Sequence, residues 1–426
     1  MELLSSLASS ASLAVQRLEP VTLPRMAQEI ALKYGCNPNQ PHARIVQPGT
    51  GPVGDGPLTV VNGRPSYINA LDALRAWQLV RDLRAATGRA AAASFKHVSP
   101  AGAAVAGELP PEFFTAFFYA APDRMPGGAY SPAATAYAKA RSSDRVASFG
   151  DFVAVSEPVD LTLATLLKAE VSDGIVAPSY EPDAFDLLRQ KKSGNYVMLA
   201  MDPGYAPPPV ESRVEFGLTL EQSHNDLAVT PETFSNRVTQ AQEILPGVME
   251  TLVVATVTLK HTQSNSIAVG CGGQAVGIGA GQQSRIACTR IACDKADRWL
   301  LKTHPKTLAL RFADGLAKAE KVNAQDNFVR YHELNDGEKA ELTKAITAGL
   351  DPITPDERRA WLDQLPGVVL SSDAFIPFRD NLDRAAASGV SVVAQAGGSA
   401  RDADVTAAAD EHGMVMAHTG VRLFLH

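Results

Sequence analysis

Cysteine is scarce in this chain of 426 residues, which has four in total, at Cys36, Cys271, Cys288 and Cys293. Cysteines this few and this irregularly spaced argue against a disulfide framework and favour a reducing compartment. Cys288 and Cys293 are five positions apart and lack a second pair, so a zinc site is not expected either. The expected location is cytoplasmic.

Long apolar runs and excess positive charge are also missing. No apolar run reaches the ~18 residues of a membrane-spanning helix. The segment from Met1 to about Arg25 has no basic region before an apolar core, so it does not form a good signal peptide and reads as a leader or tail. Lys and Arg number 39 against 46 Asp and Glu, a net charge of −7. Neither nucleic acid nor a membrane is therefore an expected partner, whereas small phosphate-bearing molecules remain allowed.

The residues that are abundant indicate an ordinary globular protein. Hydrophobic residues make up 45% and charged residues 20%, enough to bury a core. A predicted strand at Leu58–Val61 precedes a helix from Ala70 to about Thr87, which Asn69 caps and Gly88 ends. Further segments alternate in the same way, which is typical of an α/β fold. The β-branched run Leu252–Leu259 fits a helix or a strand equally well.

Two later segments of the chain predict a hairpin turn and a connector. Gly272-Gly273 lies between two apolar runs and predicts a hairpin. Before it, the proline-rich and polar residues 198–244 predict a connector between two compact regions.

The segment that organises the rest is Ser94–Val105. An apolar run ends in Lys96-His97, and Pro100 and Gly102 predict a turn directly after it. A neighbouring ammonium disfavours the imidazolium, so His97 tends to stay neutral and able to accept a proton, while Lys96 can stabilise developing negative charge. The plainer interpretation is a surface lysine and a capping histidine before a turn. Lys96–Val105 also aligns with Lys260–Val269 at four identities in ten positions, which suggests a duplicated α/β unit.

Several ordered blocks resemble one family, the bifunctional enzymes that join aminoimidazole carboxamide ribonucleotide (AICAR) formyltransferase to inosine monophosphate (IMP) cyclohydrolase. The similarity is to the transformylase part and runs from about Leu32 to His426. The blocks that carry it are Ser94–Val105, Ser148–Phe152, Glu170–Gly174, Thr262–Ser266, Gly277–Arg285, Ser371–Asn381 and Arg422–Phe424.

The resemblance implies two cytidine-deaminase-like α/β/α units and a homodimer with its sites at the subunit interface. The corresponding units are 27–197 and 245–426, joined by the connector 198–244 and preceded by the leader or tail 1–26. The zinc signature of the deaminases, His-x-Glu with Pro-Cys-x-x-Cys, is absent from the sequence. The family's cyclohydrolase part has no counterpart here, so the expectation is a stand-alone transformylase that needs a separate IMP cyclohydrolase downstream.

The reaction implied by the resemblance is transfer of a formyl group from 10-formyltetrahydrofolate to the 5-amino group of AICAR, in purine biosynthesis. That amine is a poor nucleophile, so His97 is expected to act as the base and Lys96 to stabilise the oxyanion. The implied AICAR contacts are Lys33, Tyr34, Gly150, Asp173, Asn265, Arg285, Phe375 and Arg422. The implied folate contacts are Ile286, Asn323, Asp380, Ser399 and Ala400, and a potassium ion is implied near Thr262, Asp373 and His426.

Two departures from the family pattern bear on ligand binding. Lys33 stands where the family usually has arginine, and lysine keeps the charge but loses the bidentate fork. Gly397-Gly398 replaces a bulkier pair before Ser399, which would widen the folate end. These departures keep open a related aminoimidazole as the substrate.

Two other functions compete with the formyltransferase. Gly277-Ile278-Gly279-Ala280-Gly281 resembles a dinucleotide-binding loop and suggests a dehydrogenase, although its spacing is G-x-G-x-G rather than G-x-G-x-x-G. A non-catalytic nucleotide-binding paralogue is the second alternative, and the presence of both Lys96 and His97 argues against it.

Overall fold

A single eleven-stranded sheet runs through the computed structural model, which describes residues 28–47 and 56–426. The chain before residue 28, including all of the expected leader or tail 1–26, lies outside the described residues. Helices cover both faces of the sheet, and alternate residues of one strand enter different cores: Ala91, Ala93 and Phe95 on one face and Ala92 on the other. Burial on both faces explains why this strand is apolar throughout. The predicted α/β class is confirmed.

The first half of the chain supplies six strands of the central sheet and the helices around them. Its elements are β1 (Gln28–Ala31), β2 (Arg44–Gln47), β3 (Leu58–Asn62), α1 (Tyr67–Thr87), β4 (Ala91–Lys96), β5 (Ser99–Val105), α2 (Pro111–Ala116), α3 (Pro132–Ser142), β6 (Asp151–Val155), α4 (Leu161–Lys168), β7 (Ser172–Ala177), α5 (Pro182–Leu188) and β8 (Val197–Met201). A separate exposed hairpin follows, formed by β9 (Val210–Glu215) and β10 (Leu218–Ser223).

The second half supplies the other five strands of the sheet. Its elements are α6 (Pro246–Lys260), β11 (Ile267–Cys271), β12 (Gln274–Gly279), α7 (Arg285–Leu301), α8 (Pro305–Leu308), β13 (Arg311–Phe312), α9 (Lys318–Val329), α10 (Asp336–Ala345), β14 (Ile346–Ala348), α11 (Pro355–Asp363), β15 (Val368–Ser372), α12 (Asp380–Ala386), β16 (Val390–Gln395), α13 (Asp402–Glu411) and β17 (Val415–His418).

The two halves repeat one arrangement about the centre of the sheet. The strand order is β17-β16-β15-β11-β12-β5-β4-β6-β7-β8-β3, so the hairpins β4–β5 and β11–β12 meet in the middle and parallel strands extend outward from each. The residue alignment predicted for this repeat is wrong, because Lys96 ends a strand whereas Lys260 ends helix α6. Lys260 Nζ instead lies 2.8 Å from a carboxylate oxygen of Asp82.

Helix α1 shows how local sequence sets an element's limits. It begins three residues before the predicted start, because Ser66 is the N-cap and Asn69 completes a capping box with it. It ends at Gly88 as predicted, where φ is 68° and a side chain would be strained. The undecided run Leu252–Leu259 is helical and buried throughout, and a helix buried on all sides shows no amphipathic period.

The predicted connector contains more structure than its prolines suggested. Residues 198–201 belong to β8 in the central sheet, and residues 210–223 form the hairpin β9–β10. Gly272-Gly273 does join β11 to β12 in a hairpin, as predicted.

One edge of the sheet gathers the ends of strands from both halves, and we call it the upper edge. By the strand pairings, β4 ends there at Lys96, β6 and β7 begin there, and β12 and β15 end there at Gly279 and Ser372. At the centre, β5 and β12 pair at Ala103↔Ala275 and Ala104↔Gln274, towards the opposite edge. The two halves therefore pair away from the upper edge, where most of the predicted site residues lie.

Candidate functional site

The turn between β4 and β5 consists of His97 and Val98. Their φ angles are 53° and 61°, in the left-handed region, which is a genuine outlier for a β-branched residue. Such a conformation costs about 1–3 kcal/mol per residue and persists only where surrounding structure enforces it. The turn predicted at Pro100 and Gly102 is misplaced, because both lie inside β5. Gly102 is needed there for another reason, since a Cβ would collide with the Ala140 carbonyl of α3.

A buried carboxylate holds this turn from the side of α1. Asp72 is 5% exposed, and its Oδ1 accepts a hydrogen bond from the Val98 amide at 2.6 Å. Burial raises the pKa of Asp72 to about 6, and the Val98 hydrogen bond and the charges of His97 and Lys96 offset part of that increase. The sequence alone did not single out Asp72. Its position among apolar residues of α1 such as Ala70 and Ala73 was nevertheless a signal that this aspartate is buried.

Lys96 projects to the opposite side of the hairpin from Asp72. Its Nζ donates to the carbonyls of Phe149 and Gly150 at 3.0 and 2.8 Å. A Cβ placed on Gly150 would lie 3.0 Å from that Nζ and 3.9 Å from Asp173 Oδ1, so these three predicted residues share one corner. Lys192, which the sequence did not indicate, pairs with Asp173 Oδ1 at 2.5 Å. Two carbonyls fix the Lys96 ammonium without neutralising it.

The loop with Lys33 and Tyr34 lies beside the start of α1, the helix that carries Asp72. The Lys33 amide donates to the Pro65 carbonyl at 3.3 Å, and Arg64 anchors the Leu32 carbonyl at 3.0 Å. The Lys33 side chain is exposed and Tyr34 is half-buried. We refer to the residues of this half as the Lys96 group: Lys33, Tyr34, Asp72, Lys96, His97, Gly150, Asp173 and Lys192.

A second group forms at the upper edge of the other half. The Arg285 guanidinium pairs with Asp373 Oδ1 and donates to Asn265 Oδ1 at 2.9 Å. The other Asp373 oxygen accepts from Ser264 Oγ at 2.6 Å and from the Ser266 amide at 2.8 Å. Arg285 is therefore buried and orients the Asn265 side chain, whereas the resemblance implied that Arg285 contacts AICAR.

Two further predicted residues join this second group at the protein surface. The ring of Phe375 is exposed just beyond β15. The Arg422 guanidinium lies 4.8 Å from the centre of the Phe424 ring, and the next residue after Arg422, Leu423, is bound through its amide to the Asp373 carbonyl at 2.8 Å. We call this the Arg285 group: Asn265, Arg285, Asp373, Phe375 and Arg422.

The predicted folate residues all belong to the second half of the chain but do not lie together. Ile286 follows Arg285, Asp380 begins α12, and Ser399 and Ala400 follow β16, all in the second half of the sheet. Asn323 lies apart from them on α9, where it lines a cavity of about 310 Å³ shared with Phe149, the neighbour of Gly150.

The structure therefore brings the predicted residues into two groups rather than one. Strands β4 and β11 are separated by three strand spacings, about 14 Å. Among the described residues, no hydrogen bond or ion pair connects the Lys96 group to the Arg285 group. A larger cavity of about 1000 Å³ contains none of the predicted residues, since α1, α6 and the segments flanking the hairpin β9–β10 line it.

Metal ligation has little support in the geometry. Within residues 28–47 and 56–426, no cluster of three or more His, Cys, Asp or Glu side chains is arranged to hold a metal ion. The Asp373 carboxylate is already compensated by Arg285, and the Thr262 hydroxyl donates to the Thr258 carbonyl at 2.7 Å. A potassium site remains a prediction.

The glycine-rich segment that suggested a dehydrogenase is a packed strand. Gly277 and Gly279 lie within β12, where a Cβ would collide with the backbone of α7 at Ala292 and Cys288. These glycines allow a helix to approach the strand closely. A dinucleotide loop would instead follow the strand.

A family model described as the AICARFT/IMPCHase bienzyme matches residues 4–295, more than half of the chain. The chain belongs to this family. It is 30% identical over 396 residues to the bifunctional purine biosynthesis protein PurH of Synechococcus elongatus, with 93% of this chain and 59% of that protein covered. The PurH protein of Sorangium cellulosum is 30% identical over 399 residues, covering 93% and 58%.

Membership of the AICARFT/IMPCHase family comes with a difference in extent. The chain spans about three fifths of the length of the curated relatives that it matches. None of the helices in the described part combines the length and the apolar character that a membrane crossing requires. All four cysteines are free thiols.

Proposed function

We propose that this chain transfers the formyl group of 10-formyltetrahydrofolate to the 5-amino group of AICAR, giving formyl-AICAR in the cytoplasmic synthesis of purines. The observation that carries the proposal is the β4–β5 turn, where an exposed imidazole at His97 adjoins the carbonyl-anchored ammonium of Lys96. Family membership supports the proposal, and so do Gly150 and Asp173 beside that ammonium.

The proposed reaction uses these two side chains at successive points. The amine nitrogen of AICAR attacks the formyl carbon, and His97 removes the proton that the nitrogen would otherwise retain. The formyl oxygen then carries negative charge, which the Lys96 ammonium stabilises. The bond between the formyl carbon and N10 of the folate breaks as the carbonyl re-forms, and N10 takes up the proton that His97 removed, so that formyl-AICAR and tetrahydrofolate are released and His97 is neutral again.

We further propose that a complete site combines the Lys96 group of one subunit with the Arg285 group of a second copy. The separation of the two groups within one chain supports this arrangement, because each group alone lacks half of the expected contacts. The hairpin β9–β10 supports it as well, since Val214, Phe216, Leu218 and Leu220 are exposed on it. An apolar surface of this kind is typical of a protein interface.

In the assembled site, each group would supply different contacts. Phe375 is exposed and available to stack on the imidazole ring of AICAR, and Lys33 and Arg422 are exposed cations suited to its phosphate. The cavity that Phe149 and Asn323 line adjoins the Lys96 corner through Phe149, whose carbonyl accepts from Lys96 Nζ. We propose that part of the folate occupies this cavity.

The direct test is an assay of the purified protein with AICAR and 10-formyltetrahydrofolate, following release of tetrahydrofolate. We expect formyl-AICAR and tetrahydrofolate to form in equal amounts. Rapid transfer to another aminoimidazole ribonucleotide, with no transfer to AICAR, would show that the substrate is the related aminoimidazole that the Lys33 departure allows. Binding of AICAR without any transfer would contradict the proposal and indicate a nucleotide-binding paralogue.

A further inference from the structure

The proposed reaction assigns no role to Asp72, which binds the turn that carries His97. The hairpin turn at His97-Val98 contains neither glycine nor asparagine, yet both residues are left-handed. The strand pairing Lys96↔Ser99 closes the hairpin, and the Asp72 carboxylate binds the turn from outside at the Val98 amide, 2.6 Å away. Asp72 therefore contributes to enforcing the conformation that exposes the His97 imidazole.

We propose that Asp72 is a positioning residue for formyl transfer, holding the His97-Val98 turn and supplying the negative charge that stabilises His97 when it takes a proton. This inference rests on the proposed function. The Asp72 side chain contacts the backbone of the turn, at the Val98 amide, and needs no contact with the substrate.

The choice of a carboxylate supports the role of the charge. An asparagine oxygen would also accept the Val98 hydrogen bond, without the cost of burying a negative charge. The raised pKa of Asp72 reflects that cost. The charged groups acting on Asp72 are His97 and Lys96, which favour its ionised form, and Asp173, which opposes it. The Asp72 carboxylate therefore interacts electrostatically with both residues of the proposed machinery.

Two substitutions separate the hydrogen bond from the charge. Asp72→Asn keeps an acceptor for the Val98 amide and removes the charge, so we expect kcat to fall by about tenfold with little change in the KM for AICAR. Asp72→Ala removes both, and we expect a loss of about a hundredfold because the turn is no longer held. Asp160→Asn is the matched control, because its carboxylate also accepts a backbone amide, at 2.8 Å, at the start of α4. It should behave as wild type.

The pH dependence gives a readout that a purely structural role would not change. In the wild type, protonation of Asp72 should lower kcat as the pH falls through about 6, and Asp72→Asn should lack this decrease in kcat.

The free energy of unfolding should change with pH in the opposite direction to kcat. Since the folded pKa is raised above 3.8, ionisation of Asp72 disfavours folding as the pH rises through about 6, so Asp72→Asn should be at least as stable as wild type at pH 7.

Unchanged kcat and an unchanged pH profile in Asp72→Asn would overturn the role of the charge. Lower stability together with lower activity would indicate a structural residue instead. Hydrogen exchange of the Val98 amide tests the contact independently of activity, and we expect protection to survive in Asp72→Asn and to be lost in Asp72→Ala. If wild type transfers no formyl group, the proposed function fails, and Val98 exchange still decides whether Asp72 holds the turn.

Discussion

His97→Ala is expected to lower kcat for formyl transfer by about 10²–10⁴-fold, the usual contribution of a general base. The amine of AICAR loses its proton as it attacks, and without the imidazole that proton passes to water. His97 is exposed on its turn, so its removal should leave folding and AICAR affinity nearly unchanged. Steady-state release of tetrahydrofolate, with AICAR binding measured separately, checks both expectations.

The matched control is His412→Ala, at the far end of α13 and paired with Asp383 at 2.9 Å, away from the upper edge. It should retain full activity. Lys96→Arg provides a second comparison, because it keeps the positive charge but cannot reproduce a single ammonium bound to the Phe149 and Gly150 carbonyls. Normal turnover by His97→Ala would remove the base from the proposed reaction.

Arg285→Ala is expected to lower the free energy of unfolding by about 3–5 kcal/mol and to abolish transfer. The substitution leaves the Asp373 carboxylate buried and uncompensated, because Arg285 is its cationic partner. It also removes the donor that holds Asn265 Oδ1 at 2.9 Å. Chemical denaturation measures the first effect, and tetrahydrofolate release in conditions where the variant remains folded measures the second.

A double-mutant cycle shows how much of this cost comes from the stranded carboxylate. Arg285→Ala combined with Asp373→Asn should be less destabilised than the sum of the two single variants, because no unpaired charge remains. Transfer should still be lost in the double variant, since Asn265 has lost its donor. Additive costs would show that Arg285 and Asp373 do not depend on each other.

The sequence predicted elements where local signals decide the structure. Gly88 ends α1, and Gly272-Gly273 makes the central hairpin of the second half, because each position requires a backbone conformation that glycine supplies. The sequence misplaced the turn of the β4–β5 hairpin, which is at His97-Val98, since Pro100 and Gly102 are normal turn residues but here lie in a strand packed closely against α3. Tertiary packing overrode the local preference.

The order of matched blocks predicted which residues belong to the site but not how they are distributed. Asn265 and Lys96 are both at the upper edge, yet the strand order, which no local pattern encodes, separates them into two halves. The sequence did not predict Asp72 and Lys192 as site residues, because a single acidic or basic residue on a helix or loop is ordinarily a surface residue. Their significance depends on contacts with Val98 and Asp173.

The most direct test of the account mixes two inactive proteins. One carries Lys96→Ala and His97→Ala, and the other carries Asn265→Ala and Phe375→Ala, so each damages a different group. If a site combines the two groups across a dimer, unfolding and refolding the pair together should restore about a quarter of wild-type activity, because half of the dimers are mixed and each holds one intact site. Mixed dimers that form but transfer no formyl group would contradict the composite site.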